Sequence, residues 1–157
     1  MIDLLVLARW LHVIGAAVLL GTGSGIAFFM VMAHRTGEAR LIAHVASSVV
    51  FADYLFTASA VIIQPLTGIW LGRLVGWPLH TPWILWSVGL YVFVGLLWLP
   101  VVVMQRRMRD LAKGAVVRNE ELPIEYHRLF RCWFAFGVPA FIAVLAIMWL
   151  MLERPVL

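Results

Sequence analysis

Charge is what this chain has least of. Only 13% of its 157 residues are Asp, Glu, Lys or Arg, and 64% are hydrophobic. Soluble domains average about 25% charged and roughly 45–50% apolar, so a water-soluble fold could not hide this surplus. The composition predicts an integral membrane protein, all-α, forming one domain over 1–157. Cysteine is nearly absent. The single Cys132 excludes an internal disulfide, a CxxC metal site and c-type haem attachment, and reads as a small apolar filler near a helix end. The chain also lacks internal repeats, low-complexity tracts and the basic start of a cleavable leader. Its first apolar run continues too far for a signal segment, so that helix is expected to be retained. A net charge of +4 would suit nucleic acid if it were clustered. Here the basic residues sit in short loops between apolar runs, which is a topology signal, and no nucleic-acid partner is expected.

What the chain does have is long apolar runs. Windows of about 20 apolar residues place four spans at 4–32, 46–71, 82–104 and 133–152. The first exceeds what a bilayer needs and is expected to tilt or project. Short connections make consecutive spans antiparallel neighbours, an up-down four-helix bundle. Nine of the 12 Lys and Arg residues lie on one side (Arg35, Arg40, Arg106, Arg107, Arg109, Lys113, Arg118, Arg128, Arg131), with Arg9, Arg73 and Arg154 opposite. The positive-inside bias puts the third loop in the cytoplasm and both termini outside, in a bacterial inner membrane. Trp10, Trp70, Trp77, Trp83, Trp86 and Trp149 fall near that outer boundary. Gln105–Lys113 should continue the third span as helix with Gly114 as its stop, and Pro123 should open the next helix.

The residues that could carry chemistry are few. His12 is the only polar residue in its stretch, Trp10-Leu11-His12-Val13-Ile14-Gly15. It lies eight residues into the first span, about 12 Å deep at 1.5 Å per residue. Gln64 and Tyr91 lie at a similar depth on the second and third spans, and polar groups at such depth face the bundle interior. Stepping from His12 at helical spacing gives Ala16, Leu19, Gly23 and Ala27, with Gly15, Gly21 and Gly25 nearby. That small-sided surface suits either close helix packing through Gly21-x-x-x-Gly25 or a flat cofactor. His12 can be a haem ligand, a hydrogen-bonder to quinone or substrate, or interhelical glue. No other span offers a matching imidazole. His80, on the outer side but in a loop, is the remaining candidate second ligand, and Arg9 and Arg73 are placed to pair with propionates. Asp53, in the cytoplasmic half of the second span, calls for a cation, with His127, Arg128, Arg131 and Arg106 as candidates and a structural salt bridge as the expectation. His34, His44 and His127 match no helical ligand spacing. Pro65, Pro100 and Pro139 should kink their spans and free carbonyls.

Several stretches resemble known families. Leu11-His12-Val13-Ile14-Gly15 looks like the haem-ligating segment of HemJ-type protoporphyrinogen oxidases. ADYLFTASAVIIQPLTGIWL from Ala52 to Leu71 is similar to their second helix, Arg107-Met108-Arg109-Asp110-Leu111-Ala112 to the end of their third, and Arg128–Phe130 to the entry of their fourth. The resemblance implies b-type haem with His12 as an axial ligand. Where those oxidases carry a lysine in the third helix, this chain has Trp86-Ser87. A closer likeness, through HRTG, QPLTG, TPWILW, LPVV and YHRLFR, is to a bacterial family of integral membrane proteins of unknown function. A copper-resistance membrane family shares the architecture, but copper transport favours soft Met or Cys ladders, which are missing. The reading is a membrane haem b protein of electron transfer or oxidoreduction, with His12 on the iron and Gln64 and Tyr91 around it. The alternatives are a cofactor-free scaffold or accessory subunit and a porphyrinogen oxidase. Expected partners are the lipid bilayer, with quinone or porphyrin as candidate ligands and a second copy of the chain as a candidate subunit.

Overall fold

A computed structural model describes residues 3–155. Its elements are α1 (Leu4–Thr36), α2 (Ala39–Ala52), a π turn (Asp53–Thr57), α3 (Ala58–Val75), α4 (Pro82–Arg118) and α5 (Ile124–Glu153). The α2, π and α3 segments run on as a single helix, Ala39–Val75, so four helices are long and apolar enough to cross a membrane. Among the described residues there is no strand.

Each helix end has a local cause. Asp3 caps α1 by accepting from the Leu5 amide at 2.9 Å, which satisfies one of the donors a helix start leaves free. Gly37 and Gly76 end α1 and α3 in the left-handed region, at φ 70° and 79°, where a side chain would be strained. Thr81 precedes α4, and Pro82 fills its first position, where a missing N–H costs nothing. Pro123 stands immediately before α5, within one residue of its expected place. Gly114 does not stop α4. The helix runs on to Arg118 and ends at Asn119, whose φ is 52°. A mid-helix glycine costs only about 1 kcal/mol, and the fully buried Ala112 and Ala115 on either side hold the helix together across it.

All four helices extend further on the basic side than their apolar runs. At 1.5 Å per residue, the 37 residues of α4 span about 55 Å against a hydrocarbon core of about 30 Å. The main core gathers at this end: Ala33, Ile42, Met108, Tyr126 and Phe130 on the extensions pack with Ile26, Met30 and Ala46 at the adjoining ends of the apolar runs. On that side α1 packs on α2 and α5, α2 on α4, and α4 on α5. Arg107 pairs with Glu125 across the α4–α5 corner.

The other half is organised differently. There α1 packs on α3, while α4 packs on α5. Phe28, Phe51, Leu66, Leu96 and Trp149 project outward all round the bundle, an apolar surface far larger than water-soluble proteins expose and one suited to lipid. The Arg154 guanidinium stands 4.7 Å over the Trp77 ring. The α5 terminus and the second loop therefore meet at one end, as an even number of crossings requires.

Candidate functional site

His12, Gln64 and Thr67 come together where α1 crosses α3. All three are buried. Thr67 lies three residues after Gln64, on the same face of α3. His12 Nδ1 lies 3.0 Å from Thr67 Oγ1, and that hydroxyl lies 3.0 and 3.1 Å from the Ile63 and Gln64 carbonyl oxygens. A hydroxyl has a single proton. Given to the backbone, it leaves Thr67 Oγ1 as an acceptor, and in that arrangement His12 donates from Nδ1 and keeps its lone pair on Nε2. The polar partner of Nε2 is Gln64 Nε2 at 3.5 Å, beyond the usual hydrogen-bond range of about 2.7–3.2 Å. Gln64 Oε1 is buried with no partner. One imidazole nitrogen is firmly held, and the other faces a polar group that barely engages it.

Two glycines admit this cluster. A Cβ at Gly15 would collide with Gln64 Oε1, and one at Gly68 would stand 3.1 Å from His12 Cε1. Close approach of α1 and α3 therefore rests on Gly15 and Gly68. The expected Gly21-x-x-x-Gly25 contact does not occur, because Cβ atoms at Gly21, Gly23 and Gly25 would meet nothing within 4 Å. That stretch of α1 lies beside open space.

Tyr91 is near the site without joining it. Its hydroxyl donates to the Val61 carbonyl, one turn before Gln64. Val61 is four residues before Pro65, whose ring nitrogen carries no proton to offer. The kink residue frees a carbonyl, and a tyrosine from α4 takes it. Arg9, Arg73 and His80 are exposed at the end opposite the basic loops. His80, exposed in the α3–α4 loop, shares no hydrogen bond with His12, Gln64 or Thr67.

Asp53 corrects the sequence reading. None of Arg106, His127, Arg128 or Arg131 pairs with it. Trp98 Nε1 donates to its Oδ1 at 3.3 Å instead. The expected cations all lie beyond the apolar stretches, toward the basic loops, and the bundle brings an indole to the Asp53 level. Of the other histidines, His34 stacks on Phe130 at 3.7 Å between ring centres, with its Nδ1 3.3 Å from the Tyr126 hydroxyl. His127 lies edge-on to it at 5.6 Å, while His44 is exposed. No metal-holding group of His, Cys, Asp or Glu forms among the described residues.

The residues that sequence reading missed are Thr67 and Trp98. A signal for Thr67 was present, since it follows Gln64 at helical spacing within QPLTG. Trp98 gave none, because a tryptophan in an apolar run reads as packing. Compared with known proteins, residues 6–155 match a family described as predicted integral membrane protein (DUF2269). No curated protein and no solved structure matches the chain.

Proposed function

We propose, for a chain that belongs to the DUF2269 family of predicted integral membrane proteins, that it binds haem b in the outer leaflet of a bacterial inner membrane and serves electron transfer or oxidoreduction. The observation that supports this is the setting of His12, with Nδ1 3.0 Å from Thr67 Oγ1 and Nε2 3.5 Å from the Gln64 amide nitrogen. Imidazoles that ligate iron are held in this way, by a second partner that fixes the tautomer and the ring plane. The donor set fits one axial ligand. Bound haem would supply one-electron exchange at its iron.

The chain's own residues would do the rest. Thr67 holds the ring, Gln64 borders the ligating nitrogen, and the α1–α3 contact keeps both away from water. Arg9 and Arg73, exposed at the outer end and outside every ion pair among the described residues, are available to propionates. A quinone or a porphyrin would meet the same polar cluster, and the likeness to HemJ-type oxidases rests on the sequence patches alone.

The decisive measurement is the visible spectrum of the purified protein, oxidised and then reduced with dithionite. A Soret band with reduced α and β bands, lost in His12→Ala while the protein still inserts, is the expected result. A featureless spectrum, or full haem occupancy in His12→Ala, rules out this ligand. The scaffold reading has one observation in its favour, the tight seating of His12 against Gly68. It requires a colourless protein in which His12→Ala loosens the α1–α3 contact.

A further inference from the structure

The haem reading leaves unused the one carboxylate buried at membrane depth. Asp53 is 4% exposed and opens the π turn, where the Ala58 amide bonds back to the Asp53 carbonyl. Such turns gather at functional sites because they break the regular hydrogen-bond ladder. Among the described residues, the groups that meet the carboxylate are neutral: the Trp98 indole donates at 3.3 Å, and the Thr57 hydroxyl lies beside it.

No cation can replace them. The π turn packs against α1, α2 and α3, and receives Trp98 from α4. Between His12 and His34, α1 has no ionisable side chain, and α4 has none between Tyr91 and Arg106. On its own helix the nearest are the adjacent Tyr54 and His44, then Arg40 and Arg73, all exposed. Beyond Cys132, α5 has none before Glu153. An ionised carboxylate with only neutral donors is among the least tolerated groups in a bilayer, whereas a protonated carboxyl is merely polar.

Two further buried oxygens lack partners. Thr57 Oγ1 lies four residues along the same helix, and Gln105 Oε1 lies on α4. Gln105 is seven residues from Trp98, hence on the same face of α4 and about 10 Å nearer the basic loops. Buried oxygens without protein partners are where ordered water binds.

We propose that Asp53 is an intramembrane proton-binding site. Its carboxyl is protonated at neutral pH and exchanges that proton with the basic face of the membrane past Gln105. The step is simple transfer, in which Oδ takes a proton from water on the basic side and returns it there. It needs no haem. The other seven acidic side chains lie outside the apolar stretches, so an apolar-environment carboxylic-acid signal belongs to Asp53.

Infrared spectroscopy of the full-length protein in lipid nanodiscs tests this. The expected result is a protonated-carboxyl carbonyl band at pH 7 that disappears in Asp53→Asn and shifts in Trp98→Phe and Thr57→Val. Those two shifts answer the question even if Asp53→Asn fails to fold. In heavy water the band should move at a rate that Gln105→Leu slows several-fold. Absence of the band at pH 7, its survival in Asp53→Asn, or its loss when choline is replaced by sodium overturns the proposal, the last because the site would then hold a metal cation. An exchange rate unchanged by Gln105→Leu overturns the route.

Discussion

One hydroxyl decides which nitrogen of His12 is free. Thr67 gives its proton to its own helix backbone, the usual habit of threonine within helices, and so can only accept from the imidazole. Thr67→Val keeps the shape and removes the acceptor. Loss of such an outer partner costs 10- to 100-fold in metal affinity as a rule of thumb, so haem titration should show weakening of about that size with the ligand still in place. Thr67→Ser should restore affinity, and an unchanged affinity in Thr67→Val would detach Thr67 from the site. His12 was legible from sequence because a histidine at bilayer depth stands out against apolar neighbours. Thr67 gave only its helical spacing from Gln64, since back-bonding makes a helical threonine look locally satisfied. Only the crossing of α1 over α3 shows that its lone pairs face a ring. Asp53 was legible as an unusual residue, but its partner was misjudged. Loop cations close in sequence stay outside the bilayer, while an indole from another helix reaches the same level.

At the scale of elements, α3 is tied to α4 through a proline's missing proton. Pro65 leaves the Val61 carbonyl free and Tyr91 occupies it. Tyr91→Phe leaves a part-buried acceptor unsatisfied, at a cost of about 1–3 kcal/mol. Pro65→Ala returns an amide to that carbonyl. In the Pro65→Ala background the penalty of Tyr91→Phe should therefore fall, and thermal unfolding of the four detergent-solubilised variants gives the coupling. Equal penalties in both backgrounds would mean that the tyrosine and the proline act separately. Helix ends followed a similar division between what sequence carries and what it does not. The outer ends of the spans matched closely, because apolar runs stop where Gly76, Thr81 and Pro82 stand. The basic ends ran longer than the apolar runs, because beyond the membrane a helix needs only one buried stripe. Hydropathy does not register such a stripe, and Tyr126 and Met108 lie on those extensions.

For the whole molecule, water and lipid divide the packing between them. The large side chains meet on the basic side, where burial removes apolar surface from water. In the opposite half lipid is as apolar as any side chain, so helices associate through small residues and polar contacts, here Gly15, Gly68 and the His12 cluster. Nine basic residues lie beside that core against three opposite, and the positive-inside bias predicts the α4–α5 loop in the cytoplasm. Reporter fusions within 119–123 should read cytoplasmic, and a fusion after the last residue should read external. The reverse pattern would invert the orientation while leaving the four crossings intact.

The π turn also acts as a fixed angular offset between the two ends of one helix. A π turn holds one residue more than the α-helical path across the same stretch, and each α-helical residue turns the chain by about 100°. Everything beyond Thr57 is therefore rotated by about that angle from where an uninterrupted helix would have pointed it. Gln64, Thr67 and Gly68 face α1 only with that rotation in place. Deleting one residue, such as Leu55, would straighten the helix and swing all three away from His12, although none of them had changed. The extra residue that opens the helix at Asp53 is also what aims its far end at the histidine, so the two sites share one phase setting, and a length change that erased one would misdirect the other.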